Sequence, residues 1–198
     1  MQPHLILASQ SPRRRELLTQ LGLRVQVCPA DIDEIPQPGE TPADYAQRIA
    51  LEKARAGAAA AAARLPVLGA DTDVVIDGEI LGKPASREQG LAMLRRLADR
   101  RHEVYSAVAV GLGERWLSRL SVTEVRFGPI SAAQAEAYWG SGEPADKAGG
   151  YGIQGLGAAF VREIRGSYSG VVGLPIYETC ELLREFGIEV LLPDAAAP

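Results

Sequence analysis

Short apolar segments alternate with polar ones along the chain, and their spacing predicts a series of strands and helices. Segments rich in β-branched residues and bounded by turn residues predict strands at 5–8, 24–29, 67–76, 79–81, 102–111, 116–127, 158–164 and 188–192. Helices are predicted to begin after the N-capping residues Ser11, Thr41, Ser86 and Ser131, and a last helix begins at 173–175. Asp77 and Gly78 are expected to form the two-residue turn of a hairpin.

Strands that alternate with helices and also form two hairpins are typical of an α/β fold with a mixed sheet. We therefore predict a mixed, bent sheet with flanking helices, arranged in two lobes around a central cleft. With 198 residues, of which 46% are hydrophobic, the chain can bury a core as a single domain over 1–198. Residues 194–198 are predicted to be a disordered tail.

The charge of the chain limits its partners. A formal net charge of −4 argues against non-specific binding to nucleic acid, which needs a broad basic surface. A small polyphosphate is compatible with this charge, because it needs only a local basic pocket. The N-terminus does not have the pattern of a signal peptide and no apolar run approaches the ~20 residues of a membrane span, so we expect a cytoplasmic protein. The sequence leaves the oligomeric state open, a homodimer included.

The strand predicted at 67–76 carries acidic residues that the packing of a core does not require. Because side chains alternate along a strand, Asp71 and Asp73 are expected on one face and Thr72 on the other. Buried carboxylates are costly unless they are paired, hydrogen-bonded or bound to metal. Asp71, which directly follows an apolar run, therefore indicates a site, whereas Asp73 taken alone is better explained as a residue that meets water. Lys83, between a glycine and a proline, supplies a cation nearby.

The first helix begins directly after a strand, with Ser11 as N-cap and Pro12 at its first position. The free N–H groups of a helix N-terminus attract anions, and Arg13 and Arg14 add guanidinium groups suited to phosphate oxygens. Three cations in the first turn oppose the helix dipole, so an anionic ligand explains them better than helix stability does. The alternative is a solvated face, and Arg15 is the arginine expected at the surface.

Composition alone leaves two further candidates open. Lys53 lies in an alanine-rich helix, where a lysine is more often solvated than buried. The glycine-rich loop 140–157 is not a dinucleotide fingerprint, because the G-x-G-x-x-G spacing is absent. This loop either presents Tyr151 and Gln154 to a ligand or forms a structural β-bulge.

Together, these motifs resemble the Maf family of nucleoside triphosphate pyrophosphatases along nearly the whole chain. The resemblance is carried by Leu7-Ala-Ser9-Gln-Ser11-Pro-Arg13-Arg14, Asp33-Glu34 with Glu52-Lys53-Ala54, Gly69-Ala-Asp71-Thr72, Gly82-Lys83-Pro84, Tyr151-Gly-Ile-Gln154-Gly155, and Gly166-Ser-Tyr-Ser169 through Pro175. It implies a fold similar to that of inosine triphosphatases. It also implies metal-dependent hydrolysis of a nucleoside triphosphate to the monophosphate and pyrophosphate.

The resemblance further implies roles for individual residues. Asp71 resembles the family's proton acceptor, and Glu34 with Asp71 would hold Mg²⁺ or Mn²⁺ as hard oxygen ligands. The implied catalytic residues are Asp71, Glu34, Lys53 and Lys83, and the implied substrate-binding residues are Ser9, Arg13, Arg14, Thr72 and Gln154. Two questions stay open: whether Asp71 chiefly holds metal or takes the proton, and whether Asp73 adds a ligand or faces solvent.

The combination of Ala-Asp71-Thr72 with Tyr151-Gly-Ile-Gln154 is similar to the branch of the family that acts on dTTP and UTP. The branch that acts on 7-methyl-GTP has Ser-Asp-Gln at the first motif and is one alternative. A nucleotide-sensing regulator of cell division is another, although a sensor without turnover has no need for the acidic residues. The expected partner is a small nucleoside triphosphate rather than a nucleic acid or a membrane.

Overall fold

The computed structural model describes residues 2–190, in which one mixed sheet is flanked by helices. The strands are β1 (Leu5–Leu7), β2 (Val25–Val27), β3 (Val67–Ile76), β4 (Glu79–Leu81), β5 (Arg101–Leu112), β6 (Arg115–Phe127) and β7 (Val161–Arg165). The helices are α1 (Pro12–Gln20), α2 (Pro42–Ala61), α3 (Arg87–Leu97), α4 (Ala132–Gly140), α5 (Tyr168–Val172) and α6 (Ile176–Glu185). Short 3₁₀ helices at Glu143–Asp146, Ala148–Gly150 and Leu156–Phe160 lie between α4 and β7. The predicted α/β class is confirmed, and no helix within 2–190 is long and apolar enough to cross a membrane.

Strand β3 organises the sheet, whose order is β2-β1-β3-β5-β6-β7 with β4 also beside β3. β1 runs parallel to β2 and β3, and the other pairs are antiparallel. One edge of β3 pairs with β5 along 67–75. On the other edge, β1 pairs with Val67 and Leu68, and β4 pairs with 74–76. Among the described residues, positions 69–73 have no strand partner on that edge, and a cleft lies beside this gap.

The helices begin where the capping residues predict. Ser11 Oγ accepts the backbone N–H of Arg14 at 3.4 Å, and Thr41 Oγ1 accepts that of Asp44 at 3.2 Å. Ser131 forms a complete capping box at the start of α4. The first of these caps matters for function, because it starts α1 directly after β1 and holds the basic first turn of α1 at the edge of the cleft.

Helix α2 packs closely on β3 because both elements contribute small residues at the crossing. Ala54 of α2 is fully buried, and a Cβ atom at Gly69 of β3 would lie only 2.5 Å from the Ala54 nitrogen. Because side chains two positions apart share one face of a strand, Asp71 and Asp73 lie on the same face as Gly69 and point towards α2. The close crossing thereby brings Lys53 of α2 over the acidic residues.

Separate apolar clusters lie on either side of the gap in β3. The N-terminal half of β3, with Leu68 and Ala70, belongs to a cluster that also contains residues of α1 and α6. The C-terminal half, with Val74 and Ile76, belongs to a cluster with residues of α3 and α4. Asp71, Thr72 and Asp73, which line the cleft, come between these two halves. This is the predicted arrangement of two lobes around a central cleft.

Some predicted elements differ from the structure. The strand predicted at 158–164 begins at Val161, because 156–160 forms a 3₁₀ helix. The strand predicted at 188–192 is wrong over 188–190, where apolar side chains pack against the first cluster without pairing in the sheet. Residues 191–192 and the predicted tail 194–198 lie outside the described residues. Helix α5 was not predicted, because five residues that include a glycine and two valines give little helical signal.

Candidate active site

A cleft of about 940 Å³ lies beside the gap in β3. The predicted site residues all line it: Ser9, Arg13, Arg14, Glu34, Lys53, Asp71, Thr72, Lys83 and Gln154. They come from the segment between β1 and α1, the start of α1, the loop before α2, α2 itself, β3, the segment after β4, and the glycine-rich loop. The fold therefore brings together motifs that lie far apart in the sequence.

The ammonium group of Lys53 bridges two carboxylates. Its Nζ lies 2.7 Å from Asp71 Oδ1 and 2.8 Å from Glu34 Oε2. Lys53 and Asp71 are buried, whereas the Glu34 side chain is 48% exposed. Composition alone favoured a solvated Lys53, and this expectation is wrong because α2 crosses β3 closely enough to bury the ammonium against a carboxylate. A buried charge of this kind is tolerated only when it is paired.

Asp73 lies on the same face of β3 as Asp71, and it is buried. The two residues are 7% and 5% exposed, respectively. Burial, followed by the negative charge of Asp71, raises the pKa of Asp73 to about 9. The interpretation of Asp73 as a residue that meets water is therefore wrong. Within residues 2–190, Asp71 Oδ2 and Asp73 Oδ2 are buried atoms without a hydrogen-bond partner.

These oxygens fit the requirements of a divalent cation. Mg²⁺ is bound in proteins by one or two carboxylates, and water and substrate phosphates complete its shell. Asp71 Oδ1 and Glu34 Oε2 are held by the ammonium of Lys53, whereas Asp71 Oδ2 and Asp73 Oδ2 are not held by any group of the described chain. No set of three or more His, Cys, Asp and Glu side chains within 2–190 is arranged to hold a metal ion. A cation would therefore need further ligands from water or substrate.

Arg14 joins three segments at one wall of the cleft. Its Nε donates to the Gly173 carbonyl at 2.8 Å, its Nη1 donates to Ser9 Oγ at 3.2 Å, and its Nη2 donates to Thr72 Oγ1 at 3.3 Å. Thr72 also donates to the Gly173 carbonyl at 3.3 Å. Burial lowers the pKa of Arg14, and the negative charge of Asp71 opposes this effect. Thr72 thus lies on the face opposite to Asp71, as the strand alternation predicts.

Arg13 and Lys83 are cations that line the cleft. Neither forms a hydrogen bond or an ion pair with another residue of the described chain. The hydrogen bond from Lys147 lowers the pKa of Asp146, and the charge of Arg13 contributes to this effect. Lys83 is exposed and Arg13 is half-buried, whereas Arg15 is exposed and does not line the cleft, as predicted. Unpaired cations that surround a concave site attract anionic ligands.

The glycine-rich loop 140–157 is tightly turned, and it contains 3₁₀ helices rather than a β-bulge. The Glu143 carboxylate accepts the backbone N–H groups of Leu156 and Gly157 at 2.7 and 3.1 Å. It also accepts the hydroxyl of Tyr138 at 2.8 Å. A single carboxylate therefore connects Tyr138, near the C-terminal end of α4, to the C-terminal end of the loop.

The two residues that this loop was expected to present have different environments. Gln154 is exposed and lines the cleft. Tyr151 also borders the cleft but is buried, its hydroxyl lies 2.8 Å from His102 Nε2, and its ring packs edge-on against Phe127. Tyr151 therefore anchors the loop in the second cluster, and Gln154 is the residue available to a ligand.

Glu143 and His102 were not identified from the sequence. Glu143 precedes a glycine-rich run, and the backbone N–H groups of such a run need acceptors. The need for such an acceptor is the sequence signal that could have identified Glu143. His102 gives no local signal, because its partner Tyr151 lies 49 residues away in the sequence.

The fold and the cleft define an α/β protein that combines buried carboxylates with unpaired cations around one ligand-sized cavity. Residues 4–186 match the family described as Maf-like protein, and the chain belongs to this family. The chain is 57% identical over 189 residues to the dTTP/UTP pyrophosphatase of Saccharophagus degradans, covering 94% of this chain and 90% of that protein. It is 53% identical over 195 residues to the dTTP/UTP pyrophosphatase of Anaeromyxobacter dehalogenans, covering 94% and 96%. A solved dITP/XTP pyrophosphatase from Mycobacterium abscessus is 20% identical, with a TM-score of 0.45 over 91% of this chain and 94% of that one.

Proposed function

We propose that this protein hydrolyses nucleoside triphosphates, with dTTP and UTP as preferred substrates, to the nucleoside monophosphate and pyrophosphate. The observation that carries the proposal is the convergence of the predicted site residues on one cleft in a chain of the Maf family. Support for the substrates comes from relatives at 57% and 53% identity that bear the name dTTP/UTP pyrophosphatase.

The cations of the cleft bind the triphosphate. Arg13 and Lys83 have no ion-pair partner within the described residues, so their charges are available to phosphate oxygens. Arg14 adds a positive charge whose position is fixed by Ser9 and Thr72. Together they offset the negative charge that otherwise repels a nucleophile from a triphosphate and that grows on the leaving pyrophosphate.

Asp71 acts on the attacking water. Lys53 holds Asp71 through Oδ1 at 2.7 Å and thereby orients its carboxylate in the cleft. Asp71 then accepts a proton of the water as the water oxygen bonds to the α-phosphorus, the bond from that phosphorus to the bridging oxygen breaks, and pyrophosphate leaves with the bridging oxygen.

We include a divalent cation, Mg²⁺ or Mn²⁺, in this proposal, with Glu34 and Asp71 as its protein ligands. When bound, the cation supplies positive charge to the phosphate oxygens and lowers the pKa of the attacking water. Support comes from the buried Asp71 Oδ2 atom, which no group of residues 2–190 satisfies. Glu34 is held by Lys53 and is partly exposed, so its carboxylate can reorient when substrate enters.

Gln154 and Thr72 select the base and align the substrate. Gln154 is exposed on a loop that Glu143 holds in place, so its amide is free to pair with a nucleobase. An amide offers one acceptor and one donor on a single edge, which matches the donor and acceptor pattern of uracil and thymine. Thr72 contributes through the network with Arg14 that shapes the wall of the cleft.

A product assay tests the proposal. The purified protein is incubated with UTP, dTTP, CTP, GTP and 7-methyl-GTP, each with Mg²⁺, with Mn²⁺ or with a chelator, and the products are separated by ion-exchange chromatography. We expect UTP and dTTP to give monophosphate and pyrophosphate in one step, and the chelator to abolish the reaction. A diphosphate with inorganic phosphate as primary products would contradict the assigned bond cleavage. A preference for 7-methyl-GTP, or binding without turnover, would contradict the assigned substrate or activity.

A further inference from the structure

Asp73 is a buried acidic residue for which the proposed reaction has so far no role. Its side chain shares a strand face with Asp71, is 7% exposed and lines the cleft. Its Oδ2 atom has no hydrogen-bond partner anywhere in residues 2–190, and the same is true of Asp71 Oδ2. Two acceptor atoms that no donor satisfies are thus buried side by side at the wall of the ligand cavity.

Packing does not explain an aspartate at this position. The strand continues with apolar residues that are equally buried, Val74, Val75 and Ile76, so an apolar side chain would serve the core at 73 as well. An aspartate there places a second carboxyl group beside Asp71 in a site that excludes most water. Two carboxylates that are both ionised in such a site need a cation between them.

The cation of the protein itself does not fill this role. The ammonium of Lys53 contacts Asp71 through Oδ1 and Glu34 through Oε2. No ion pair is formed by Asp73 within the described part of the chain. The unsatisfied Oδ2 atoms are therefore not the oxygens that Lys53 contacts.

We propose that Asp73 is a ligand of the divalent cation and that Asp73 Oδ2 and Asp71 Oδ2 together form the buried part of a metal site that Glu34 completes when substrate enters. The inference rests on the proposed function and extends its ligand set beyond Glu34 and Asp71. Two carboxylate oxygens leave most positions of a Mg²⁺ or Mn²⁺ shell to water and phosphate oxygens, as is usual where these ions activate a nucleotide. Lys53 would then hold Asp71 Oδ1 in place and thereby orient Asp71 Oδ2 towards the cation.

Mn²⁺ titration without nucleotide tests this ligand assignment directly. The affinity of the full chain for Mn²⁺ is measured by isothermal titration calorimetry and by the electron paramagnetic resonance signal of free Mn²⁺. The variants are Asp73→Asn, which keeps the shape of the side chain, and Asp73→Val, which suits a buried strand. Asp77→Asn is the matched control, because Asp77 lies next to the end of the same strand, is exposed, and pairs with Arg100 instead of lining the cleft.

We expect both Asp73 variants to bind Mn²⁺ at least about tenfold more weakly than the wild type. Mutation of a residue that only hydrogen-bonds to a metal ligand already lowers metal affinity by about that factor. Asp77→Asn should bind like the wild type. Thermal melting gives an independent signature. Mn²⁺ should raise the melting temperature of Asp73→Asn by less than that of the wild type, because the variant binds the ion more weakly.

Unchanged Mn²⁺ affinity in folded Asp73→Asn would overturn the inference. That result is expected if Asp73 only shares a proton with Asp71, because asparagine imitates a protonated aspartate. A wild type that does not bind Mn²⁺ without nucleotide would overturn it as well. Pyrophosphate release from UTP by the wild type separates the two proposals. If the wild type releases pyrophosphate and the variants bind Mn²⁺ with unchanged affinity, only the role of Asp73 is overturned. If the variants bind Mn²⁺ more weakly but the wild type releases no pyrophosphate, only the proposed activity is overturned.

Discussion

The ammonium of Lys53 lies 2.7 Å from Asp71 Oδ1, although the two residues belong to elements that meet only at this crossing of helix and sheet. The contact depends on Gly69, two residues before Asp71 on the same face of β3. At Gly69 the backbone of α2 occupies the space that a Cβ atom would need. A glycine outside the cleft therefore sets the geometry of the acidic site inside it.

Gly69→Ala is accordingly expected to impair both stability and turnover. The added methyl group meets the carbonyl oxygen of Ala50 and the nitrogen of Ala54, which are backbone atoms and cannot rotate away. Overpacking of this kind costs about 1–3 kcal/mol, and displacement of α2 would separate Lys53 from Asp71. Urea denaturation and pyrophosphate release measure the two effects.

Gly140→Ala is the matched control for this substitution. Gly140 is the last residue of α4, and a Cβ atom there would meet nothing within 4 Å. The control should be as stable and as active as the wild type. Equal behaviour of the Gly69 and Gly140 variants would contradict the role of the close crossing.

The second prediction concerns Asp71→Asn, which keeps the size of the side chain but removes its charge and its basicity. Turnover of UTP should fall by at least ~10²-fold, the lower end of what a positioned acid–base group contributes. The fold should survive, because the substitution removes one of two neighbouring buried carboxylates while Lys53 keeps Glu34 as a partner. Single-turnover kinetics with saturating Mg²⁺ measure the chemical step. Near-normal turnover in the folded variant would contradict the assignment of Asp71 as the proton acceptor.

The sequence was most informative where local rules decide the structure. The bounds of β3 followed from its β-branched run and the Asp77-Gly78 turn, and the start of α1 followed from its cap. Whereas Glu34 and Lys53 were assigned by the resemblance to the Maf family, the candidates Asp71, Lys83, Arg13 and Arg14 were identified because charged side chains stood next to apolar strands or at a helix start. Such signals are local, so they identify the residues but not the contacts that they make.

The environments of Lys53, Asp73 and Glu143 could not be predicted, because each depends on a tertiary contact. Whether Lys53 and Asp73 are buried is decided by how closely α2 crosses β3. Glu143 acts on backbone groups 13 and 14 residues further along the chain. The prediction of a strand at 188–192 was wrong over 188–190 although the local apolar pattern was present. The apolar side chains there pack on the core, but the backbone has no partner strand.

The third prediction is a pH dependence of stability that originates at His102. This histidine is 2% exposed, and burial lowers its pKa to about 4 in the folded protein, below the ordinary value of 6.5. Between these two values the unfolded chain binds a proton that the folded protein does not, so the stability contributed by neutral His102 falls as the pH falls from about 6.5 towards 4. From pH ~7.5 to pH ~4.5 the expected loss is about 2 to 3 kcal/mol.

His102→Gln isolates this contribution, because glutamine can still hydrogen-bond to Tyr151 but does not titrate in this range. Urea denaturation at the two pH values should show a smaller loss of unfolding free energy for the variant than for the wild type. The difference should vanish above pH ~7, where histidine is neutral in both states. Parallel losses in the two proteins would contradict the assignment to His102.

The last prediction concerns the choice of base by Gln154. Uracil and thymine present a ring N–H between two carbonyl oxygens, whereas cytosine presents an acceptor nitrogen beside an amino group. Because Gln154 is exposed on a loop that Glu143 holds in place, its amide can pair with the base at little cost in loop ordering. Gln154→Ala should lower kcat/KM for UTP and dTTP by roughly tenfold or more, which corresponds to the ~1–3 kcal/mol lost when a polar group is left without its partner.

Leu156→Ala is the control for this substitution, since Leu156 is 61% exposed on the same loop, does not line the cleft, and bonds to Glu143 only through its backbone. This variant should keep the wild-type kcat/KM for every nucleotide. Turnover of poor substrates such as CTP should change little in either variant, because a mismatched base gains little from the amide. An equal loss for all bases in Gln154→Ala would instead place the residue on the phosphates or in the support of the loop, and base selection would then have to come from the backbone around Gly152 and Gly155, which also line the cleft.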